Sequence, residues 1–425
     1  MGETLKSFFE PKKIALIGAS DHIDKVGGIL AKKLLSYKNK FIPINPKHDK
    51  IFGIKCYKNV LDYPKSLDFA IIAVPALFVP TALEECGKKK INNVIIITAG
   101  FSEIGNTKGE YELKQIAKKY GINFIGPNCF GVCNSSNNLD TTFSATTPSR
   151  LKKTGVAFIS QSGALWSYIS DFMPNLGFSD FVSLGNMGDL EFSDFIDYFS
   201  KDKKTKSIVL YVEKLKDGKK FIKTCKNCKK PIFAVKAGSS VEGSRAAFSH
   251  TGSLATDYEI YRGAFKQAGV TLCDSLIEAF EKANEKQILV RKKDQTLKLG
   301  KKVIIVTNAG GAGALMADYL SKKEFELVHG PIDILGTASG SDYFNALEKI
   351  KSEDFDCVFV ILTPQSMSEI RKSADVVAGF KLRNNKQVVA LFLGKKSMKE
   401  ANELFENNKV SYFNTLEEAR LSIIN

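Results

Sequence analysis

Three times in this chain a short apolar, β-branched run ends in a turn of very small residues, and a helix-forming stretch follows. The turns are Gly18-Ala19-Ser20, Ser160-Gln161-Ser162-Gly163 and Asn308-Ala309-Gly310-Gly311-Ala312-Gly313. Side chains this small let backbone N–H groups and a helix N-terminus approach an anion closely, the general device for holding phosphate. Tight closure of a βα unit also asks for small residues, so one such turn decides little. Three in one chain, each at the exit of the first strand of a new cycle, favour the anion reading.

The surrounding runs predict the fold class. Apolar runs lie at 14–17, 41–44, 69–74, 94–98 and 122–125, then at 156–159, 181–184, 208–212, 232–235 and 270–272, and finally at 303–306, 357–362 and 388–393. Near-continuous apolar strands separated by helical crossovers belong to parallel sheets covered on both faces. The expectation is an α/β chain of three doubly wound units: a Rossmann-like domain over 1–130 and two flavodoxin-like units over 150–286 and 300–425. The polar stretches 134–150 and 286–302 read as linkers between them. At 425 residues, each unit has chain enough for its own core.

Charge and cysteine usage bound the partners. With 61 Lys+Arg against 46 Asp+Glu the net charge is +15, but the lysines are scattered in short pairs rather than interleaved with aromatics, so no nucleic-acid partner is expected. No apolar run approaches the roughly 18 residues of a membrane span. Met1 to Lys13 has no secretory apolar core, which with eight dilute cysteines points to a reducing, cytoplasmic setting. Cys225 and Cys228 form a lone C-x-x-C with no second pair, and no metal site is expected.

The first turn is not followed by the glycines of G-x-G-x-x-G. The second run ends in Pro43-Ile44-Asn45-Pro46-Lys47, where a dinucleotide site would want an acid for the ribose diol. A lysine there suits a nucleotide carrying an extra ribose phosphate, NADP or coenzyme A. Val74-Pro75-Ala76 and Thr98-Ala99-Gly100-Phe101 line the same sheet edge. No Walker A, H-E-x-x-H or G-x-S-x-G motif occurs.

Of four histidines, His22, His48, His250 and His329, only His250 lies in a long stretch of small residues, 238–253, after the run 232–235. A neutral imidazole is a nitrogen nucleophile near pH 7; an idle surface histidine is the competing reading. Glu213 ends the preceding run and falls at the same sheet edge. Its carboxylate could accept the proton on one ring nitrogen and free the other to attack phosphorus, or it could be a solvated strand-end acid.

Across nearly the whole chain these residues resemble the α subunit of the ADP-forming acyl-CoA synthetases (acetate–CoA ligase, ADP-forming), relatives of succinyl-CoA synthetase. The resemblance rests on Ile17-Gly18-Ala19-Ser20, Asn45-Pro46-Lys47, Thr98-Ala99-Gly100-Phe101-Ser102-Glu103 and Gly126-Pro127-Asn128-Cys129 in the first third. It continues through Ser160-Gln161-Ser162-Gly163-Ala164, Ser183-Leu184-Gly185-Asn186, Tyr211-Val212-Glu213 and Ser249-His250-Thr251-Gly252, then Thr307-Asn308-Ala309-Gly310-Gly311 and Asp333-Ile334-Leu335-Gly336-Thr337-Ala338. It implies that His250 is a phosphohistidine stabilised by Glu213, with phosphate held by Ser160, Gln161, Ser162, Gly163, Asn308, Gly310 and Gly311. Coenzyme A would lie on the first unit, at Gly18, Ala19, Ser20, Lys25, Asn45, Pro46, Lys47, Val74, Pro75, Thr98 and Ala99. The implied reaction is acyl-CoA + phosphate + ADP to acid + CoA + ATP, reversible through an acyl phosphate. The ATP-grasp domain, with ADP or ATP and Mg²⁺, is expected on a separate β subunit in a hetero-oligomer. Gly330-Pro331 departs from the family's Asn-Pro. A CoA-binding regulator without ligase activity and an NADP-dependent oxidoreductase remain as alternatives.

Overall fold

The computed structural model describes residues 5–37, 40–146, 153–173, 177–240, 243, 258–288 and 296–424. In the first third, β1 (Lys13–Ile17), α1 (Val26–Leu34), β2 (Lys40–Ile44), β3 (Phe69–Ile72), α2 (Val79–Lys88), β4 (Asn93–Ile96), α3 (Thr107–Tyr120) and β5 (Asn123–Ile125) form a parallel sheet in the order β2-β1-β3-β4-β5. α3 begins where the Asn106 side chain accepts the Gly109 N–H and stops at Gly121 in the left-handed region, an N-cap and C-cap pair legible in the sequence.

The second sheet contains β6 (Val132–Asn134), β7 (Leu139–Asp140), β8 (Lys153–Ser160), β9 (Phe178–Ser183), β10 (Ser207–Val212), β11 (Ile232–Lys236) and β12 (Thr271–Leu272), in the order β12-β11-β10-β8-β9-β6-β7. Its helices are α4 (Ala164–Phe172), α5 (Phe192–Lys201), α6 (Gly218–Asn227), α7 (Tyr258–Ala268) and α8 (Leu276–Asn284). In the third, β13 (Lys302–Thr307) carries two short edge partners, β14 (Glu326–Leu327) and β15 (Ile332–Asp333), and continues through β16 (Cys357–Leu362), β17 (Gln387–Phe392) and β18 (Ser411–Phe413). The third unit's helices are α9 (Gly310–Lys322), α10 (Gly340–Ile350), α11 (Ile370–Arg383), α12 (Lys399–Asn407) and α13 (Leu416–Ser422).

Counted from its own first strand, each parallel run has the order 2-1-3-4-5. The chain therefore reverses direction between the first and third strands of every unit, and ligands of such sheets lie in the crevice at that switch point. The first unit's order is thus that of the flavodoxin-type doubly wound sheet. The polar stretch after 130 is not a solvated linker. Asn134, Ser135, Asp140, Thr141, Thr142 and Ser144 are buried. β6 pairs antiparallel with β9, and Asn134 and Asp140 satisfy local backbone N–H groups in Asx turns. Lys33 of α1 closes the buried end on Asp140 at 2.7 Å. Within 286–302, Leu297–Lys298 pairs in parallel with Ile423–Ile424, so part of that charged stretch is a strand.

Strand side chains alternate between two faces, and here the alternation fuses the units. Ala157, Ile159, Ile208, Leu210 and Val212 share one core with Ile14, Leu16, Phe69 and Ile71 of the first unit. Val156, Phe158, Val209 and Tyr211, from the other face, share another with Val303, Ile305, Cys357, Phe359 and Ile361 of the third. Polar clamps reinforce the second boundary: Asp171 of α4 accepts the Lys395 N–H (2.8 Å), the Ser397 N–H (3.2 Å) and the Ser397 hydroxyl (2.8 Å), and Tyr168 donates to Glu417 at 3.2 Å. Among the described residues no helix is long and apolar enough to cross a membrane.

Because the cores are shared, the units are expected to unfold together. Trp166, the only tryptophan, is buried in the core common to the second and third units and stacks on Phe181 at 4.5 Å. Its fluorescence and the far-ultraviolet dichroism should lose their native signals at one urea midpoint, and two separated midpoints would show that the cores melt independently.

Candidate functional site

The three small-residue turns all fall at switch points. In the first unit Gly18 has φ +92°, and a Cβ there would lie 2.3 Å from the Ala73 carbonyl oxygen, so only glycine lets β1 turn against the end of β3. Asn45 donates to the Ala19 carbonyl at 2.8 Å while its Oδ1 accepts the Lys47 N–H at 2.9 Å, and the Thr98 hydroxyl donates to the Val74 carbonyl at 2.7 Å. Ser20 is buried; Pro46, Lys47, Pro75 and Ala99 are exposed along the rim, and Lys25, also exposed, stands at the N-cap of α1. A helix N-terminus flanked by two exposed lysines and backbone turns fits an elongated ligand with several phosphates.

In the second unit the switch point lies between β8 and β10, and it brings Gln161 against Glu213. Gln161 Oε1 accepts the backbone N–H of both Glu213 (2.7 Å) and Lys214 (2.8 Å). Two donors on one oxygen fix the carboxamide's orientation and turn Nε2 the other way. That nitrogen is buried and has no hydrogen-bond partner among the described residues. Ser160 donates to the Ser162 carbonyl at 2.7 Å, and Gly163 leads into α4.

The third unit repeats the arrangement. Asn308, after β13, accepts the Thr363 N–H at 2.9 Å and donates to the Thr363 carbonyl (3.1 Å) and to Gln365 Oε1 (3.0 Å) across the β13/β16 switch point. α9 then starts at Gly310. A Cβ at Gly311 would lie 2.7 Å from both Cβ and Oγ of Ser162 and 2.9 Å from the Tyr211 hydroxyl oxygen, which donates to the Gly311 carbonyl at 3.2 Å. The N-termini of α4 and α9, from two units, therefore meet.

Charge at this meeting point is arranged in depth. Glu213 and Lys236 are both buried, and Lys236, the register partner of Val212, ends β11. Burial pushes the Lys236 ammonium down to about 8, with Asp318 and Glu213 pulling it back up. Burial, then the nearby Glu213 charge, drives the Tyr211 phenol well above its ordinary range, so it stays a neutral donor. His250 lies outside the described residues.

Sequence reasoning passed over Lys236 and Asp318, and gave Tyr211 and Asn186 no role beyond their places in the matched motifs. Asn186, after β9, donates to Glu103 (2.5 Å) and Glu110 (3.0 Å) of the first unit, while Glu103 Oε1 accepts the Gly100 and Phe101 N–H groups. The signal for Asp318 was available: one acid inside the small and apolar run Gly310–Lys322. Among the described residues no cluster of metal-ligating side chains occurs, and Cys225 and Cys228 carry free thiols.

A methyl group at Gly311 must push α9 off Ser162 and Tyr211. Gly311→Ala is expected to cost about 1–3 kcal/mol of stability by overpacking and to weaken binding of inorganic phosphate in calorimetry while leaving coenzyme A binding unchanged.

Residues 12–135 match the family model described as CoA binding domain, and residues 153–284 that described as succinyl-CoA ligase like flavodoxin domain. The chain is 39% identical to the acetate–CoA ligase [ADP-forming] II subunit alpha of Pyrococcus furiosus, over 96% of this chain and 93% of that one. It is 37% identical to the acetate–CoA ligase [ADP-forming] I of Archaeoglobus fulgidus, covering 96% of this chain and 61% of that longer protein. Among solved structures, the acetyl-coenzyme A synthetase 1 of Ca. Korarchaeum cryptofilum in complex with phosphate and ADP superposes with a TM-score of 0.63 at 32% identity, covering 99% of this chain and 96% of that one. On this fold and these matches, the chain belongs to the family of ADP-forming acid–CoA ligases, with their α subunits.

Proposed function

We propose that this chain is the α part of an ADP-forming acyl-CoA synthetase in which His250 carries a phosphoryl group. The observation that carries the reading is the convergence of two helix N-termini at Ser162 and Gly311, with Gln161 held by the Glu213 backbone and its buried Nε2 left unpaired among the described residues. Preorganised donors in a water-poor site stabilise developing negative charge without reorganising.

In this reading phosphate oxygen attacks the thioester carbonyl, the C–S bond breaks, CoA leaves as the thiol, and an acyl phosphate results. A ring nitrogen of His250 then attacks phosphorus, the P–O bond to the acyl group breaks, and the carboxylate departs. Glu213 holds the proton on the other ring nitrogen and offsets the imidazolium charge. The helix ends and Gln161 hold the phosphoryl oxygens; phosphoryl transfer leaves little else for a protein to do. Gly18 to Ser20, Lys25, Asn45 to Lys47, Val74, Pro75, Thr98 and Ala99 hold coenzyme A on the first unit.

ADP and Mg²⁺ belong, in the same reading, to an ATP-grasp β subunit on a separate chain, in a cytoplasmic hetero-oligomer. Two relatives are named as alpha subunits, and this chain spans 93% and 94% of them, which supports a division into subunits. The acid is a small carboxylic acid; the relatives named for acetate support acetate as the first to try.

The test is to assemble the chain with its β subunit and supply acetyl-CoA and ³²P-phosphate without ADP. An acid-labile, base-stable label should form and be absent in His250→Ala; a label surviving in that variant overturns the assignment. Glu213→Gln should slow labelling about 100-fold or more, the scale of a lost acid–base partner. Gln161→Ala should slow it by about 10²–10³, the scale of one lost preorganised donor.

A further inference from the structure

On α9, Gly311, Asp318 and Lys322 are seven and four residues apart and share the face turned toward the second unit. Gly311 abuts Ser162 and Tyr211. About 10 Å down the helix axis, Asp318 is buried yet fully engaged: Oδ2 accepts the Gly238 N–H at 2.8 Å, and Oδ1 accepts the Ser240 N–H at 2.8 Å and its hydroxyl at 2.9 Å. The Ser240 Oγ in turn accepts the Gly243 N–H at 2.9 Å. A Cβ at Gly243 would lie only 1.8 Å from Asp318 Oδ1, so Gly238, Ser240 and Gly243 close on this carboxylate with no room to spare. At the far side of the segment, the Lys322 ammonium lies 5.9 Å from the centre of the Tyr258 ring, where α7 begins. The described residues on either side of the stretch containing His250 thus both meet one helix of the third unit, Gly238 and Ser240 by hydrogen bonds and Tyr258 by its ring.

We propose that Asp318 is a positioning residue for phosphoryl transfer, fixing to α9 the root from which the His250-bearing stretch leaves β11. This rests on the reading of His250 as the phosphoryl carrier. A carboxylate inside an otherwise small and apolar helix is costly unless its lone pairs are taken, and charge-assisted bonds to backbone N–H groups are the stronger kind. Here those bonds cross a unit boundary. The helix whose N-terminus would face the anion therefore also holds the root from which the chain runs on toward His250. In-line attack tolerates only small misplacement. Loosening the root should therefore lower the rate of transfer and leave ligand binding as it was.

The experiment uses the assembled enzyme with acetyl-CoA and ³²P-phosphate in single-turnover labelling. Asp318→Asn replaces one acceptor oxygen by an NH₂ group that faces donors, and Gly243→Ala attacks the same contact from the loop side without touching the carboxylate. In both, the labelling rate constant at saturating acetyl-CoA should fall at least tenfold, with the half-saturating acetyl-CoA concentration within twofold of wild type. Labelling within twofold of wild type, or a rate loss matched by a rise in half-saturating acetyl-CoA, overturns the proposal. Should Asp318→Asn fail to fold, Gly243→Ala decides alone. If the wild type itself takes no label that His250→Ala abolishes, the phosphohistidine reading falls first and this proposal with it.

Discussion

The contact between Gly311 and Ser162 is the constraint on which the rest of the molecule turns. Two helix N-termini carry like partial charges and would not approach unaided. They are held together because Val156, Phe158, Val209 and Tyr211 on one sheet and Val303, Ile305, Phe359 and Ile361 on another bury their alternate side chains in a single core. Apolar burial on this scale outweighs the local repulsion of two helix ends. The Tyr211 hydroxyl then bridges to the Gly311 carbonyl, tying the second unit to the backbone of α9. The result is a concentrated source of N–H donors that only an anion relieves.

Each unit uses the same device to bring its turn to the switch point, but the three are not equivalent. In the second and third, an amide side chain following the first strand grips the backbone following the third: Gln161 on Glu213 and Lys214, Asn308 on Thr363. In the first, Asn45 follows the second strand and grips Ala19 instead. The crevice between β1 and β3 is thus left lined by the Gly18 and Val74 turns, whereas each of the other two is spanned by an amide side chain.

The apolar runs and small-residue turns were legible because strand burial and turn closure are local properties. Most of the long parallel strands left a near-continuous apolar signature; β9, with Ser179 and Asp180 buried in it, did so only from Phe181 on. Segment 134–146 misled because Ser, Thr, Asn and Asp look solvated in a sequence. In the fold they satisfy one another and neighbouring backbone, Ser366 donating to the Ser144 carbonyl at 2.8 Å from the third unit. The short strands β6, β7, β14 and β15 are too brief for any period to register. Asp318, and the contacts of Asn186, were missed for a related reason: each acts across a boundary between units, and nothing within a few residues of either announces its partner.

Those crossings also tie the rim of the first unit's crevice to the turn that follows β9. Glu103 is held by the turn that begins at Thr98 and accepts from Asn186, which follows the strand beside β8. Asn128, after β5, donates to the same Asn186 side chain at 3.3 Å. The turn predicted to contact the thiol-bearing ligand and the strand bordering the helix N-termini are therefore joined through one amide, which must satisfy two carboxylates at once. Glu110, the second of them, also accepts the Ser102 hydroxyl at 2.6 Å, so shifting the turn at 98–102 moves acceptors that Asn186 cannot abandon without leaving a buried donor unpaired. The turn at 98–102 and the turn after β9 are thus held in one polar network, and β9 pairs with β8, the strand that ends at Ser160.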